Sequence, residues 1–438
     1  GLSRSDLMNP EANMTSLNTN IQSALSGLPT QTVLYTGTDV DDLNQFLQNN
    51  TGKIVQLTQD IQVYKNTNGS FGIIMVPSDT ILDGNGHSLV MKAGYTEAPD
   101  VGVVLYVYKN GVIPSTNCGV KNLSTDIPYV NSINVFSADN ILLENNTLNN
   151  ATKSGIMISD EYGSTVNGII RGNTINNVGD DAIAVYGNHS NLLIDSNRIS
   201  GAKGFAGIAI SCLQNGQQIR VDNETTGPHD IIVTGNVISG CSGEALYCIG
   251  SYKTYITYNT LRDSILEGVC LDSGCIGNYF AHNEVVNNGI AGGLPGVSID
   301  NGIYNIVDSN NVYNNSCSGI KLVRTGLGNI IVNNICTDNA YNQMGAKSSG
   351  IDIEPLAVET ENLGYIDGLG SNWNVVLNNT VTGSHDFGVF IADDDTANNG
   401  GSSCENVIMY NKFSSAYTFG AADFSSMSST VKNNITLN

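Results

Sequence analysis

Charged residues are scarce in this sequence, and positive charge is scarcest. Only 13% of the 438 residues are charged, and 18 Lys and Arg stand against 40 Asp and Glu, for a formal net charge of −22. An average domain has about 25% charged residues. Nucleic acid binding needs clusters of Lys and Arg against the phosphates, and the chain has none. The composition argues against a nucleic acid partner and suits a neutral polymer such as a polysaccharide.

The chain also lacks the cysteine spacings of metal sites and the apolar runs of membrane spans. Its nine cysteines form no CxxC pair and no Cys/His ligand pattern, so no zinc site is predicted. No apolar run reaches the roughly 18 residues that a membrane helix needs, so no membrane partner is predicted. We predict buried free thiols, because several cysteines take inward positions of the repeat described below.

The amino terminus reads GLSRSD, without an initiating Met and without a signal peptide. A processed secretory protein and a trimmed chain both begin in this way. A surface rich in Asn, Ser, Thr and Gly is common in extracellular repeat proteins. We therefore expect a secreted, extracellular protein.

What the sequence does have is a repeat. One apolar phrase returns as GIMIS at 155, AIAVY at 182, GIAIS at 207, ALYCI at 245, GVCLD at 268, GVSID at 296, GIKLV at 319, GIDIE at 350 and GVFIA at 388. A second phrase that ends in Asn and a third, shorter phrase follow most copies. No helix-length amphipathic segment separates the phrases, which excludes a βαβ fold. Three short strands with alternating inward apolar residues make one coil of a solenoid.

The Asn at the end of the second phrase is expected to stack from coil to coil as an Asn ladder, with its backbone in the left-handed region. Most intervals between these residues are 23 to 27 residues long. The predicted members are Asn146, Asn173, Asn197, Asn236, Asn259, Asn283, Asn310, Asn333, Asn379 and Asn411.

This period and ladder resemble the right-handed parallel β-helix of pectate lyases and polygalacturonases, over roughly residues 50–430. The resemblance implies an all-β fold of about ten or more coils. We predict a cap segment over 1–52 and a β-helix domain with a C-terminal cap over 53–438. A short helix within 10–28 is expected to cap the open N-terminal end of the solenoid. Enzymes of this fold occur as monomers and as homotrimers, and the sequence leaves both open.

The candidate catalytic residues lie at the outward-facing positions of the first phrase. In GVSID at 296–300 the second and fourth letters face the core, so Ser298 and Asp300 face outward. Long inserts surround the same strand at 212–228, 355–372, 393–403, 286–295 and 337–349, and loops that rim one face of a sheet make a cleft. The predicted catalytic residues at these outward positions are Asp272, Asp300, Lys321, Asp352 and Glu354.

A second acidic row precedes the strand and contains Asp180, Asp181, Glu244 and Glu267. The run NNVGDDAIAV resembles the Gly-Asp-Asp motif of polygalacturonase-type glycoside hydrolases, which implies a catalytic role for Asp180 and Asp181. The family's preceding Asp falls at Ser154, and its His motif falls in GFAG at 204–207, which has no His. The same two aspartates also suit a turn-capping role.

Three functions fit these residues. In glycoside hydrolysis or transglycosylation, two carboxylates flank the bond, about 5 Å apart for retention or about 6.5–9.5 Å for inversion. Asp272 with Asp300 fits the shorter distance, and Asp300 with Asp352 or Glu354 fits the longer one. Tyr186, Tyr247 and Phe390 would stack on sugar rings or simply cover the sheet.

The alternative is a polysaccharide lyase or uronate epimerase that uses Lys321 and Arg324, with Ca²⁺ as a candidate ligand of the carboxylates. Lys321 would otherwise be a salt-bridge partner between Asp300 and Asp352. The third hypothesis is a carbohydrate-binding fibre or adhesin without catalysis. Hydrolase or transglycosidase ranks first, with no cofactor.

Overall fold

The three phrases of each repeat form three strands, and each strand pairs in parallel with the same phrase of the next coil. The protein is described by a computed structural model over residues 8–65, 72–212, 227–324, 326–341, 349–355, 370–394, 401–414, 417 and 419–437. The pairing produces three long sheets that wind into one solenoid of about 12 turns. The predicted all-β parallel β-helix is therefore confirmed.

Sheet A has 15 strands and is built from the second phrase. Its strands are β1 Thr32–Tyr35, β2 Ile54–Leu57, β5 Ile81–Asp83, β10 Thr116–Lys121, β13 Asp139–Glu144, β16 Val166–Arg171, β19 Ser190–Asp195, β22 His229–Thr234, β25 Tyr252–Thr257, β28 Tyr279–Ala281, β31 Ile306–Asp308, β34 Ile330–Val332, β37 Val375–Leu377, β40 Val407–Met409 and β43 Thr430–Lys432.

Sheet B has 14 strands and is built from the short third phrase. Its strands are β3 Ile61–Val63, β6 Ser88–Met91, β11 Ser124–Thr125, β14 Thr147–Asn149, β17 Thr174–Asn176, β20 Arg198–Ser200, β23 Val237–Ser239, β26 Thr260–Arg262, β29 Glu284–Val286, β32 Asn311–Tyr313, β35 Ile335–Thr337, β38 Thr380–Thr382, β41 Lys412–Ser414 and β44 Ile435–Leu437.

Sheet C has 13 strands and is built from the first phrase. Its strands are β4 Ile74–Met75, β7 Val101–Val104, β12 Asn131–Phe136, β15 Ser154–Ser159, β18 Ile183–Tyr186, β21 Ile208–Ser211, β24 Leu246–Ile249, β27 Val269–Asp272, β30 Val297–Asp300, β33 Ile320–Val323, β36 Ser349–Ile353, β39 Phe387–Ile391 and β42 Phe419–Asp423. A separate antiparallel hairpin, β8 Tyr106–Tyr108 and β9 Val112–Pro114, leaves the coil between β7 and β10.

The core runs along the inside of the solenoid and takes one or two apolar residues from each strand. In one coil, Ile158 of β15, Ile170 of β16 and Ile175 of β17 are completely buried and belong to the same core cluster. All nine cysteines are buried free thiols, as the sequence predicts. Cys241 and Cys336 fill inward positions of this core, where a thiol packs as a small apolar group.

Buried asparagines hydrogen-bond from coil to coil at the turn between sheets A and B. The Oδ1 of Asn310 accepts from the backbone N–H of Asn283 at 2.9 Å and from its side-chain amide at 3.1 Å, and that amide also donates to the carbonyl of Ile256 at 2.9 Å. Every polar group of the buried amide thus has a partner, as burial requires. Two further columns, which the repeat pattern did not predict, run through Asn278, Asn305, Asn329, Asn374 and Asn406 and through Asn288, Asn315 and Asn339.

The position predicted for Asn333 is wrong by one residue. Asn334 joins the column, because its side chain bonds Asn379, whereas Asn333 lies on the surface. The left-handed backbone predicted for the column members is also wrong by one residue: it belongs to the residue before each of them, such as Asn333 with φ 58° and Gly172 with φ 65°. The turn therefore uses two residues, one for the left-handed bend and one for the buried amide.

Two helices precede the solenoid proper, α1 Pro10–Ala24 and α2 Val40–Asn49. The capping helix is α2, whose Val40, Leu43 and Leu47 are completely buried against the first core residues. Asp39 caps it by accepting from the backbone N–H groups of Asp41 and Asp42. No helix within the described ranges has the length and apolar composition needed to cross a membrane.

The helix predicted within 10–28 exists as α1, but it does not cap the end. Pro10 opens it at a first-turn position, and Leu17 and Ile21 pack on the outer face of sheet A against Ile169, Leu193, Ile232 and Tyr255. The strands of sheet A carry an apolar residue at an outward position, such as Ile169 in GIIR at 168–171 and Leu193 in LLID at 192–195. These residues make the outer face of the sheet apolar. The helix covers it because an apolar sheet surface is stabilised when it is removed from water. Sheet A begins at β1, inside the segment 1–52.

Candidate functional site

The outward residues of sheet C form two columns along the solenoid. Strand register places Tyr247, Cys270, Ser298, Lys321, Asp352 and Phe390 in the first column. In the second column Ile249 pairs with Asp272, and Asp300 pairs with Val323. Asp272 and Asp300 each follow the paired Leu271 and Ile299, so they lie on adjacent coils. The predicted inserts around this face lie largely outside the described residues, over 213–226, 342–348, 356–369 and 395–400.

Asp272 accepts three hydrogen bonds. The hydroxyl of Tyr247 donates to Oδ2 at 2.6 Å, while the backbone N–H and the hydroxyl of Ser273 donate to Oδ1 at 2.7 and 2.9 Å. Donors of this kind stabilise the charged form of a carboxylate. Tyr247, predicted to stack on sugar, thus also orients a carboxylate through its hydroxyl.

Asp300 lies in the opposite environment. Burial and the neighbouring charge of Asp272 raise the pKa of Asp300 to about 7, although the guanidinium of Arg324 acts in the other direction. Nη1 of Arg324 lies 3.1 Å from Oδ1 of Asp300. Arg324 has a left-handed backbone, with φ 64°, at the turn that ends β33. The turn directs a cation back onto a carboxyl group of the preceding coil.

Glu244 and Glu267 occupy equivalent positions just before β24 and β27, and they are 6% and 9% exposed. Burial, reinforced by the charge of Glu267, raises the pKa of Glu244 to about 8, and burial also raises the pKa of Glu267. Each of the two carboxyl groups shifts the pKa of the other, and the raised pKa of Glu244 favours its protonated form at neutral pH. Asp272 acts on both of these groups electrostatically. The structure therefore brings Glu244 and Glu267 of the second acidic row into one cluster with Asp272.

Lys321, Asp352 and Glu354 form the upper part of the site. Nζ of Lys321 lies 3.1 Å from Oε2 of Glu354, so Glu354 is its ion-pair partner. Burial alone lowers the pKa of Lys321, but the charges of Asp352 and Glu354 outweigh burial and leave the pKa raised. Asp352 is completely buried, and burial followed by the charge of Glu354 holds its pKa well above the usual range. Within the described part of the chain, no donor lies in hydrogen-bonding geometry to either carboxylate oxygen of Asp352.

Asp181 and Tyr186 lie away from this cluster. Asp181 is completely buried, accepts from the backbone N–H of Ala206 at 2.9 Å and bonds the Tyr186 hydroxyl. Burial raises its pKa to about 7. It precedes β18, three coils from β27, or roughly 14 Å along the solenoid. These contacts suit the predicted turn-capping role of Asp181. Asp180, the residue before it, is half-buried.

Phe390 is 1% exposed, and its ring packs against Phe387 and Phe424 with centroids 5.2 and 5.3 Å away. A ring covered in this way has no free face for a sugar. Phe390 therefore cannot stack on a sugar ring as predicted. Its side chain instead packs the last coils together.

The sequence left Ca²⁺ open as a ligand of the carboxylates. Across the described ranges no group of three or more His, Cys, Asp or Glu side chains is arranged to hold a metal ion. The Ca²⁺ prediction has no assigned site in that part of the chain.

Comparison with known proteins supports the fold. The family model for the right handed beta helix region matches residues 111–226. No curated protein sequence matches the chain. Among solved structures, the A-module of Azotobacter vinelandii mannuronan C-5 epimerase AlgE6 is 14% identical with a TM-score of 0.54, over 92% of this chain and 100% of that one.

Two further structures extend the comparison. The periplasmic alginate epimerase AlgG is 12% identical with a TM-score of 0.50, over 96% of this chain and 88% of that one. PfbA, a surface adhesin of Streptococcus pneumoniae, is 11% identical with a TM-score of 0.44, over 91% and 93%. Likeness at these identities concerns the fold alone. The chain therefore has the right-handed parallel β-helix fold, as its sequence predicts.

Proposed function

We propose that this protein is an enzyme that cleaves or transfers glycosidic bonds in a neutral polysaccharide or oligosaccharide. The observation that carries the proposal is the pair Asp272 and Asp300. They lie on adjacent coils in different surroundings: Asp272 accepts three hydrogen bonds, whereas burial and the charge of Asp272 raise the pKa of Asp300 to about 7. Two carboxyl groups whose environments separate them in this way are the usual acid and base of a glycosidase.

The spacing favours a retaining reaction. Strands of adjacent coils lie about 4.8 Å apart, close to the ~5 Å between the carboxyl groups of retaining enzymes. Protonated Asp300 donates its proton to the leaving-group oxygen while the carboxylate of Asp272 attacks the anomeric carbon. Ionised Asp300 then takes a proton from water or from a second sugar hydroxyl, and that oxygen displaces Asp272. Water gives hydrolysis, and a sugar hydroxyl gives transfer.

The remaining charged residues support this cycle. Arg324, 3.1 Å from Asp300, stabilises the carboxylate that Asp300 becomes after it loses its proton. Protonated Glu244 adds less negative charge beside Asp272 than a carboxylate would. Both glutamates are more deeply buried than the half-buried Asp272 and Asp300, which leaves the aspartates in the better position to meet substrate.

Charge argues for a neutral substrate. The site gathers six carboxyl groups but two cations, and each cation already has a carboxylate partner, Lys321 with Glu354 and Arg324 with Asp300. A lyase or epimerase acting on a uronic acid needs a cation for the substrate carboxylate and a base for the C5 proton. The raised pKa of Lys321 makes it a poor base. The two epimerases with this fold keep the lyase or epimerase function as the second candidate.

The products distinguish these candidates. We expect that incubation with dextran, inulin, laminarin and galactomannan yields reducing ends or new oligosaccharides from at least one of them. We expect neither an unsaturated, ultraviolet-absorbing product nor solvent exchange at C5 when alginate or polygalacturonate is supplied. Ultraviolet-absorbing product would establish a lyase, and C5 exchange without cleavage would establish an epimerase.

The pH dependence tests the role of Asp300. Because Asp300 must carry a proton, kcat/KM is expected to fall above pH 7 or so, by about tenfold for each further pH unit. Arg324 lowers the pKa of Asp300, so Arg324→Gln should move this alkaline limb to higher pH. The matched control is Arg262→Gln on the exposed side of sheet B, which should leave the limb in place. An unmoved limb in Arg324→Gln would show that Asp300 is not the titrating acid.

A further inference from the structure

A cavity lies on the outer face of sheet C, beside its first strands, β4, β7 and β12. It has a volume of about 570 Å³, within the range of ligand sites, and its lining includes Tyr106, Tyr108, Phe136 and Tyr162. None of these residues belongs to the carboxylate cluster. We call this group of four rings the aromatic platform.

Three separate segments bring the rings together. Tyr106 and Tyr108 lie on the β8–β9 hairpin, Phe136 ends β12, and Tyr162 lies in the turn after β15. The rings of Tyr106 and Phe136 are stacked, with centroids 5.1 Å apart and planes 10° apart. Tyr162 lies 5.1 Å from Phe136 on its other side. The result is a continuous aromatic surface rather than scattered exposed rings.

The aromatic platform leaves apolar surface in contact with water, which is unfavourable, and the fold does not need the platform. Tyr108 is 60% exposed and Tyr162 is 48% exposed, and the hairpin contributes no residue to the core. This hairpin is the one antiparallel strand pair in the described part of the chain. The coil would close without it, as the other described coils do. A contiguous exposed apolar surface of this kind marks a binding site.

The chemistry of the rim selects the occupant. The exposed carboxylates of Asp100 and Glu161 border the cavity, where they can accept hydrogen bonds from a ligand. They add to the net charge of −22 in disfavouring an anion. A neutral sugar ring presents an apolar C–H face to an aromatic ring and hydroxyl donors to carboxylates at its edge. Tyrosine combines an apolar ring with a polar hydroxyl and suits such a ligand.

The position along the solenoid agrees with this occupant. Strand register places Phe136 and Asp272 in one column, through Ser159, Tyr186, Ser211 and Ile249. Five coils separate them, or roughly 24 Å at strand spacing. We propose that the aromatic platform is a carbohydrate-binding site, separate from the carboxylate cluster, that holds a neutral sugar chain on the same face of the protein. The choice of a sugar rests on the proposed function, but binding requires no catalytic step.

Affinity electrophoresis in gels that contain dextran, inulin, laminarin or galactomannan tests the proposal. The wild-type chain should be retarded by at least one polysaccharide. Tyr108→Ala with Tyr162→Ala should weaken that binding by about thirtyfold, because two stacking rings each contribute on the order of 1 kcal/mol. Both side chains lie on the surface outside the core, about half exposed or more, so the variant should keep the thermal unfolding midpoint of the wild type.

Two controls separate this site from the catalytic one. Tyr410→Ala removes a ring that is 51% exposed on a late coil and should bind as the wild type does. Asp272→Asn should lose activity and keep its retardation. If the wild type binds a polysaccharide but shows no activity, the proposed enzyme function fails while the proposed binding site is retained. Absence of retardation for the wild type, equal retardation of the double variant, or loss of retardation in Asp272→Asn alone would overturn the proposal. So would self-association of the wild type that the double variant abolishes.

Discussion

Asp272→Asn and Asp300→Asn are each expected to lower kcat/KM for cleavage of the polysaccharide by about a thousandfold, with the fold intact. Asn keeps the size of the side chain but has neither the charge that Asp272 needs to attack nor the proton that Asp300 needs to donate. The measurement is kcat/KM on the polysaccharide that the product screen identifies, with circular dichroism and a thermal melt as checks of folding.

The two roles predict different responses to the leaving group. A dinitrophenyl glycoside needs no protonation, so it should restore much of the activity of Asp300→Asn but not of Asp272→Asn. The matched control is Asp263→Asn, whose carboxylate is 45% exposed beside Arg262 and which should remain fully active. Full activity of Asp272→Asn and Asp300→Asn would show that the chemistry lies elsewhere. Activity lost instead in Glu354→Gln would move the site to the upper carboxylates.

Asn283→Ala is expected to lower the free energy of unfolding by about 3–5 kcal/mol. The substitution leaves the backbone N–H and side-chain amide of Asn259 without the Oδ1 that they share, and the carbonyl of Ile256 without its donor. All three groups are buried, and each buried polar group that loses its partner costs about 1–3 kcal/mol. The expected result is a clear fall in the midpoint of urea unfolding.

Asn311→Ala is the matched control for that experiment, because Asn311 is exposed at the start of β32, close to the same turn. Surface substitutions of this kind change stability by about 0.5 kcal/mol or less. Equal midpoints for the two variants would mean that the asparagine column contributes no stability beyond an exposed amide.

Local pattern was sufficient for much of this protein. The inward and outward letters of GVSID, the pairing of Asp272 with Asp300 on adjacent coils and the burial of the cysteines all follow from the period, because in a parallel solenoid each repeat lies directly over the next. The one error in the asparagine column arose where two asparagines are adjacent, at Asn333 and Asn334. The short phrase after the turn begins at Ile335, and counting back from it identifies Asn334.

Contacts that cross between phrases were not accessible in the same way. The sequence pattern puts the two glutamates before the strands in a separate row, yet Glu244 and Glu267 shift each other's pKa and both interact electrostatically with Asp272. Arg324 was grouped with Lys321 as a basic pair, yet each cation holds a different carboxylate. Side-chain direction at a turn depends on backbone angles, such as the φ of 64° at Arg324, that a repeat pattern does not encode.

The sequence by itself determined the parallel β-helix, the three strands of each coil and the sheet face that carries the carboxylates. Periodicity suffices for these features because they depend on the alternation of side chains along a strand and on the stacking of equal repeats. Only the tertiary structure decided where α1 lies, which cation neutralises which carboxylate and how the rings of Tyr106, Phe136 and Tyr162 meet. Those features join residues from different phrases or from outside the repeat, so no period relates them.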